Sequence, residues 1–255
     1  MDSVRRFAEL VGQPDPPLDR AALALAAGAD PDLDVDHWLA ELDRLASGVT
    51  DLAGLLDRLF VRERFLGNRE NYYDPRNSLL PHVLTRRVGI PITLAVVTME
   101  VGRRAGVPIE GVGMPGHFLV RPVGGDTLLD VFDGGAELTP EACEARFREL
   151  GGTGPFGPHL LAATPTTAIL TRMLENLRTV FRTLRRPAAS EWVLRMRLHL
   201  PGAGLAEQLE LAQALGGQGK WLDGARILET QMPEAEPQVA RQLTLAARSL
   251  RAHLN

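Results

Sequence analysis

The run Ile92 to Ala105 (ITLAVVTMEVGRRA) is apolar on nearly every side. A helix without a polar face has to be enclosed by other elements, so this stretch dictates that the rest of the chain wraps it. Pro91 stands where the helix begins, a position that suits proline because the missing N–H would have no intrahelical partner there. Gly106 ends it. Ile109 to Met114 then reads as a strand, Pro115-Gly116 as a turn and His117 to Pro122 as a second strand. Gly124-Gly125 supplies a hairpin turn, Thr127 to Phe132 a third strand, and Gly134-Gly135 closes the unit. The expected fold class is α+β, with a central helix against a small antiparallel sheet.

The flanks read as helical. Before the core, helices are predicted over Met1–Leu10, Leu18–Ala27, Asp36–Ala46 and Thr50–Val61, with Asp19 as a cap for the second. Asp30 to Asp36 (DPDLDVD) holds four aspartates but lacks the central glycine and final glutamate of a calcium loop. It reads as a turn followed by an acidic first helical turn. Arg62 to Arg76 reads as a structured loop, with Asn77-Ser78 capping a helix Leu79–Arg87. After the core, Thr139-Pro140-Glu141 opens a short helix carrying Cys143, and Gly151 to Pro158 (GGTGPFGP) is the linker candidate. Five helices follow: Pro165–Leu184, Ser190–Leu200, Leu205–Leu215, Trp221–Gln231 and Glu236–Leu254. LAQALGGQGKWLDGARILE carries a degenerate tetratricopeptide pattern. The expected division is 1–66 for an N-terminal helical region packed on the core, 67–150 for the core and 151–255 for a tetratricopeptide-like helical domain.

Composition narrows the function classes. The chain has 255 residues, enough to bury a full core, and a net charge of −4, which gives no electrostatic reason to expect nucleic acid. One cysteine, Cys143, excludes an intramolecular disulfide and a paired-cysteine metal knuckle. Neither a signal-like apolar stretch nor a run of the ~20 apolar residues a membrane helix needs is present. No cofactor, metal or membrane is expected, and the expected location is cytoplasmic.

Four segments carry a family resemblance: GNRENYYDPRNS (Gly67–Ser78), RRVGIPITL (Arg86–Leu94), PGHFLVR (Pro115–Arg121) and LLDVFDGG (Leu128–Gly135). Upstream LDVDHWLAELDRLA and downstream RMLENLR extend the match over most of the chain. The sequence resembles the SirB1 family of transglutaminase-like bacterial proteins. That resemblance implies a transglutaminase/papain-like core between a helical N-terminal region and C-terminal tetratricopeptide-like helices. It supplies a fold more firmly than a function.

Transglutaminase-like enzymes use a Cys-His-Asp triad, with the thiolate at a helix N-terminus beside a histidine that an acid orients. Here Gly89-Ile90-Pro91 takes the place of the enzymes' Gly-x-Cys, so the nucleophile position falls on Pro91. His117 takes the histidine position, and Asp130, thirteen residues later across a hairpin, takes the acid position. Proline cannot be a nucleophile. Cys143 lies beyond the core strands and reads as a small half-buried hydrophobe. Ser78 reads as a cap, and Thr93, one turn into the helix, as a backbone-bonding hydroxyl. Asp74, Arg76 and Asn77 form a polar cluster before the core helices. They read as a loop brace or as the rim of a pocket above Pro91 and His117.

Two functions fit. One is a non-catalytic binding or regulatory protein whose cleft holds a ligand or peptide through Asp74, Arg76, Asn77, Pro91, Thr93 and His117. Its C-terminal helices would then meet a protein partner. The other is a cysteine-independent hydrolase or amide-transforming enzyme, with His117 oriented by Asp130 as general base. The sequence leaves substrate, partner and oligomeric state open.

Overall fold

The computed structural model of the chain describes residues 2–231 and 236–254. Three helices lead: α1 (Ser3–Val11), α2 (Leu18–Ala26) and α3 (Val35–Ala46). Asp34 caps α3 by accepting from the His37 N–H at 3.1 Å, so the aspartate-rich run is a turn with a helix cap. Asp19 is not the expected cap. It lies inside the first turn of α2, buried, and its carboxylate reaches arginines more than 80 residues away. Helix α4 (Leu52–Leu56) widens into a π-helical turn at Asp57–Arg62 instead of continuing as one regular helix.

The loop that follows holds strand β1 (Leu66–Gly67) and a 3₁₀ turn at Pro75–Ser78. Asp74, not Asn77-Ser78, supplies the cap here, and it caps that turn. Helix α5 (Leu80–Arg86) and strand β2 (Val88–Gly89) lead into helix α6 (Pro91–Ala105). Pro91 occupies the first turn of α6, and Thr93 Oγ1 accepts from the Ile90 N–H at 3.2 Å. Gly106 ends the helix at φ +74, a left-handed conformation that glycine adopts without a Cβ penalty. Residues on every side of α6 are buried, as its unbroken apolar sequence requires.

Strands β3 (Ile109–Val112), β4 (Leu119–Pro122), β5 (Leu128–Asp130) and β6 (Ala136–Leu138) form an antiparallel meander in chain order. Side chains alternate between faces. Phe118, Val120, Leu129 and Val131 join the core around α6. Val112, Met114, Leu119 and Leu128 face the other way, onto Cys143 and Phe147 of helix α7 (Pro140–Glu149). Cover on both faces of the central strands explains why apolar residues stand side by side at Leu119-Val120 and Leu128-Leu129.

β1 and β2 pair in parallel, with Gly67 beside Gly89. Gly67 also lies against Phe132: a Cβ there would sit 2.5 Å from the Phe132 carbonyl oxygen and 2.5 Å from its ring. Because a backbone oxygen cannot swing aside, Gly67→Ala is expected to cost about 1–3 kcal/mol, read as a drop in the urea midpoint.

The Gly151–Pro158 segment stays on the core. Phe156 packs on Phe147 at 5.6 Å between ring centres. Just beyond, the Thr164 N–H donates to Gly111 O at 2.8 Å, and Thr164 Oγ1 accepts from Gly113 N–H at 2.7 Å. Helices α8 (Thr166–Thr183), α9 (Pro187–Arg197), α10 (Leu205–Gly216), α11 (Trp221–Gln231) and α12 (Pro237–Arg251) follow. Ile169, Leu170, Met173, Leu174 and Leu177 of α8 belong to the same core as α6. Helices α10 to α12 have an apolar cluster of their own, built on Ala212, Ala225, Leu228, Leu243 and Leu250.

Candidate functional site

His117 sits between the Met114–His117 turn, closed by His117 N–H to Met114 O at 3.0 Å, and the start of β4. Asp130 ends β5, and the β4–β5 hairpin carries it back toward His117. His117 Nε2 lies 2.8 Å from Asp130 Oδ2, and both side chains are buried. Asp130 Oδ1 accepts from Phe132 N–H at 3.0 Å, and the Arg146 guanidinium stands 3.7 Å from Oδ2. Burial alone would raise the Asp130 pKa. The His117 hydrogen bond and charge, the Phe132 amide and Arg146 outweigh it and hold the carboxyl below its ordinary value.

An ionised carboxylate only accepts, so in the neutral imidazole Asp130 selects the tautomer with its proton on Nε2 and leaves Nδ1 with a lone pair. Nδ1 has no hydrogen-bond partner among the described residues. No buried side-chain nitrogen or oxygen there is unsatisfied either, so Nδ1 is not sealed from solvent. This is the arrangement of a base or acceptor held in a fixed orientation.

The lowered Asp130 pKa has a stability consequence. Its contribution is complete above about pH 4, the unfolded value, and is lost as pH falls through the lower folded value. Asp130→Asn is therefore expected to flatten the acid limb of stability. Between pH 5 and pH 3 the urea midpoint should fall less in the variant than in the parent.

A continuous path joins this pair to the head of α6. The Phe132 ring meets His117 edge-on at 6.4 Å and Tyr72 at 6.2 Å. The same ring covers Gly67, which pairs with Gly89, two residues before Pro91. Pro91 is buried. Thr93 is also buried, and its hydroxyl donates to Asn77 O at 2.6 Å, so its proton is committed to the backbone. Asn77 is fully enclosed. Its Nδ2 donates to Asn71 O at 2.8 Å and Tyr72 O at 3.1 Å, and its Oδ1 accepts from Asn68 at 3.0 Å. Asp74 takes Arg76 in a two-point contact at 2.7 and 3.0 Å, with Arg86 at 3.5 Å. These polar groups brace the Tyr72 loop, while the Arg76 side chain remains more than half exposed.

Cys143 is wholly buried, where a half-buried place was expected. Burial, and then the Asp130 charge, push its thiol up from the ordinary value. A thiolate is disfavoured there, on the face of the sheet opposite α6.

Several cavities open elsewhere, two of them against α6 and the sheet. One of about 760 Å³ lies at the far end of α6 among Asp19, Glu100, Arg103 and Arg104, whose charges already pair with one another. One of about 450 Å³ lies between Arg121, Leu128, Glu141 and Phe156. Neither is lined by His117 or Asp130, so volume and chemistry do not coincide; the fixed His–Asp geometry is the stronger indication of a site. The sequence did not mark Arg146 and Phe132 as neighbours of this pair, nor Tyr72 behind Phe132. Nor did it mark Arg172, whose one signal was its place in the RMLENLR segment. No group of three or more metal-ligating side chains occurs among the described residues.

A model of the transglutaminase-like superfamily matches residues 24–175, a span that holds Pro91, His117 and Asp130 and runs into α8. The chain belongs to the transglutaminase-like superfamily. It is also similar to proteins of the UPF0162 group. One from Xylella fastidiosa (strain Temecula1) is 40% identical over 182 residues, 65% of each chain. The match thus spans just under two thirds of that relative's length. One from Pseudomonas aeruginosa is 33% identical over 234 residues, 84% of this chain and 86% of its own. F-box only protein 21 of Mus musculus is 36% identical over 133 residues, 47% of this chain and 20% of that protein. No helix among the described residues is long and apolar enough to cross a membrane.

Proposed function

We propose that this is a non-catalytic transglutaminase-like protein of the SirB1 family that binds a ligand or peptide at the His117–Asp130 pair. One observation carries the reading: the helix that would present the thiolate starts with Pro91, while the orienting pair stands at 2.8 Å. Thr93 supports it, because its hydroxyl proton is already used. The sealed Cys143 supports it too. Asp74, Arg76 and Asn77 shape the loop that carries Tyr72 and Tyr73 to the rim of the site. The tetratricopeptide-like helices after residue 150 would form a separate partner surface, and the protein would work in the cytoplasm. The test is an assay of the purified protein for amide hydrolysis and for amide transfer from glutamine-containing peptides. No turnover above the buffer rate is expected. Turnover abolished by His117→Ala would overturn the proposal.

The open Nδ1 of His117 favours one second reading: a cysteine-independent hydrolase in which His117 is a general base toward water. In that case Asp130→Asn lowers turnover while the protein stays folded. Turnover unchanged by Asp130→Asn would reject the role for Asp130.

A further inference from the structure

Arg172 of α8 differs from five other half-buried arginines around the core. Arg86, Arg87, Arg104, Arg146 and Arg178 each stand within 4 Å of a carboxylate. Arg172 has no such partner among the described residues. It makes one hydrogen bond, from Nη1 to Met114 O at 2.9 Å, and lies over the Phe118 ring at 5.4 Å. Met114 O is also the acceptor of the His117 N–H, so the guanidinium is tied to the turn that presents the histidine. Its Nε and Nη2 have no protein partner and are not sealed from solvent. Burial lowers the Arg172 pKa, and the charge of Tyr72 opposes that shift. Tyr72 in turn meets Tyr73 edge-on at 5.4 Å, and Tyr73 is 70% exposed.

An uncompensated cation in partly desolvated surroundings, with two free N–H edges, suits a planar anion taken in a two-point contact. Exposed tyrosines joined to His117 through Phe132 suit a peptide-like body, since they add apolar area and a hydroxyl. We infer that Arg172 is the anion subsite of the His117 site and takes a carboxylate of a peptide-like ligand. The inference rests on the binding role proposed for His117. It adds the ligand's charge and the residue that reads it.

The test is NMR titration of the full chain, following the Arg172 Nε–H and His117 ring signals. The probes are N-acetylglycine, standing for a chain end; N-acetylglutamate α-methylamide, standing for an acidic side chain; and N-acetylglycinamide, which has no carboxylate. Saturable shifts at both residues are expected with one or both carboxylates, at an affinity about tenfold or more above that of the amide. Which carboxylate binds more tightly distinguishes chain end from side chain. Arg172→Gln is expected to remove that preference, and Arg172→Lys to restore part of it. If amide and carboxylate shift His117 equally, Arg172 is not an anion subsite, although a binding role for His117 survives. If no probe shifts either residue, the subsite is rejected and the binding role of His117 is rejected with it.

Discussion

Arg104→Ala is expected to lower stability by about 3 kcal/mol, which for a chain of this size is a fall in melting temperature on the order of 10 °C. Arg104 donates to Asp19 Oδ2 at 2.5 Å, Glu100 Oε2 at 2.7 Å and Asp43 Oδ1 at 2.8 Å, and its side chain is 10% exposed. Asp19 and Glu100 are both buried, on α2 and α6. Removing the arginine leaves two enclosed carboxylates facing each other. Burial, then the Asp19 charge, already raise the Glu100 pKa despite its hydrogen bonds from Arg103 and Arg104. Without Arg104 that rise grows. A carboxyl with a raised folded value stabilises below its unfolded value and loses that contribution as pH rises through the folded one. The deficit of the variant should therefore be widest at neutral pH and shrink toward pH 5. Arg103→Ala is the control. Its side chain meets the same two carboxylates but is 59% exposed, so its loss should stay near or below 1 kcal/mol. Urea melts at pH 5 and pH 7 check both statements. This cluster fixes the C-terminal end of α6 to α2 and α3, and α6 carries Pro91 at its other end.

The parts of the fold that local chemistry dictates were legible in the chain. The Ile92–Ala105 helix, its proline start, its glycine stop and the three strands after it follow from periodicity and turn residues. The C-terminal helices fall within a few residues of their expected bounds for the same reason. What escaped was non-local or too short to have a period. β1 and β2 have two residues each and exist because Gly67 and Gly89 allow close approach. β6 is Ala-Glu-Leu, which carries no strand signature by itself. Asp19 looks like a helix cap until its arginines, far along the chain, are brought beside it. Gly151–Pro158 has the composition of a linker, yet Phe156 and Thr164 hold its neighbourhood to the core.

The site divides in the same way. His117 and Asp130 could be paired from their spacing across a hairpin, and their contact has that geometry. Asp74, Arg76 and Asn77 could be recognised as a polar cluster, but not as groups that mostly bond to their own loop. Arg172 could not be connected to His117 at all, because only the packing of α8 brings it to the Met114 carbonyl.

The second large effect concerns the head of α6. If Pro91 stands where a transglutaminase-like thiolate would be, a cysteine placed there gains the helix N-terminal dipole and the open Nδ1 of His117. Both favour the thiolate. The fold should tolerate the change, since the N–H that it adds lies in the first helical turn, where such groups have no intrahelical partner. The wild-type thiol gives a silent background because Cys143 is wholly buried. The decisive measurement is the rate of iodoacetamide alkylation of Pro91→Cys between pH 5 and pH 9, with the modified peptide identified by mass. An alkylation midpoint at least one unit below the ordinary thiol value of about 8.5 is expected. Pro91→Cys/His117→Ala is expected to move that midpoint back toward the ordinary value. A thiol that titrates near 8.5 with or without His117 would contradict the claim that this core keeps an enzyme's orienting pair beside a vacated nucleophile position.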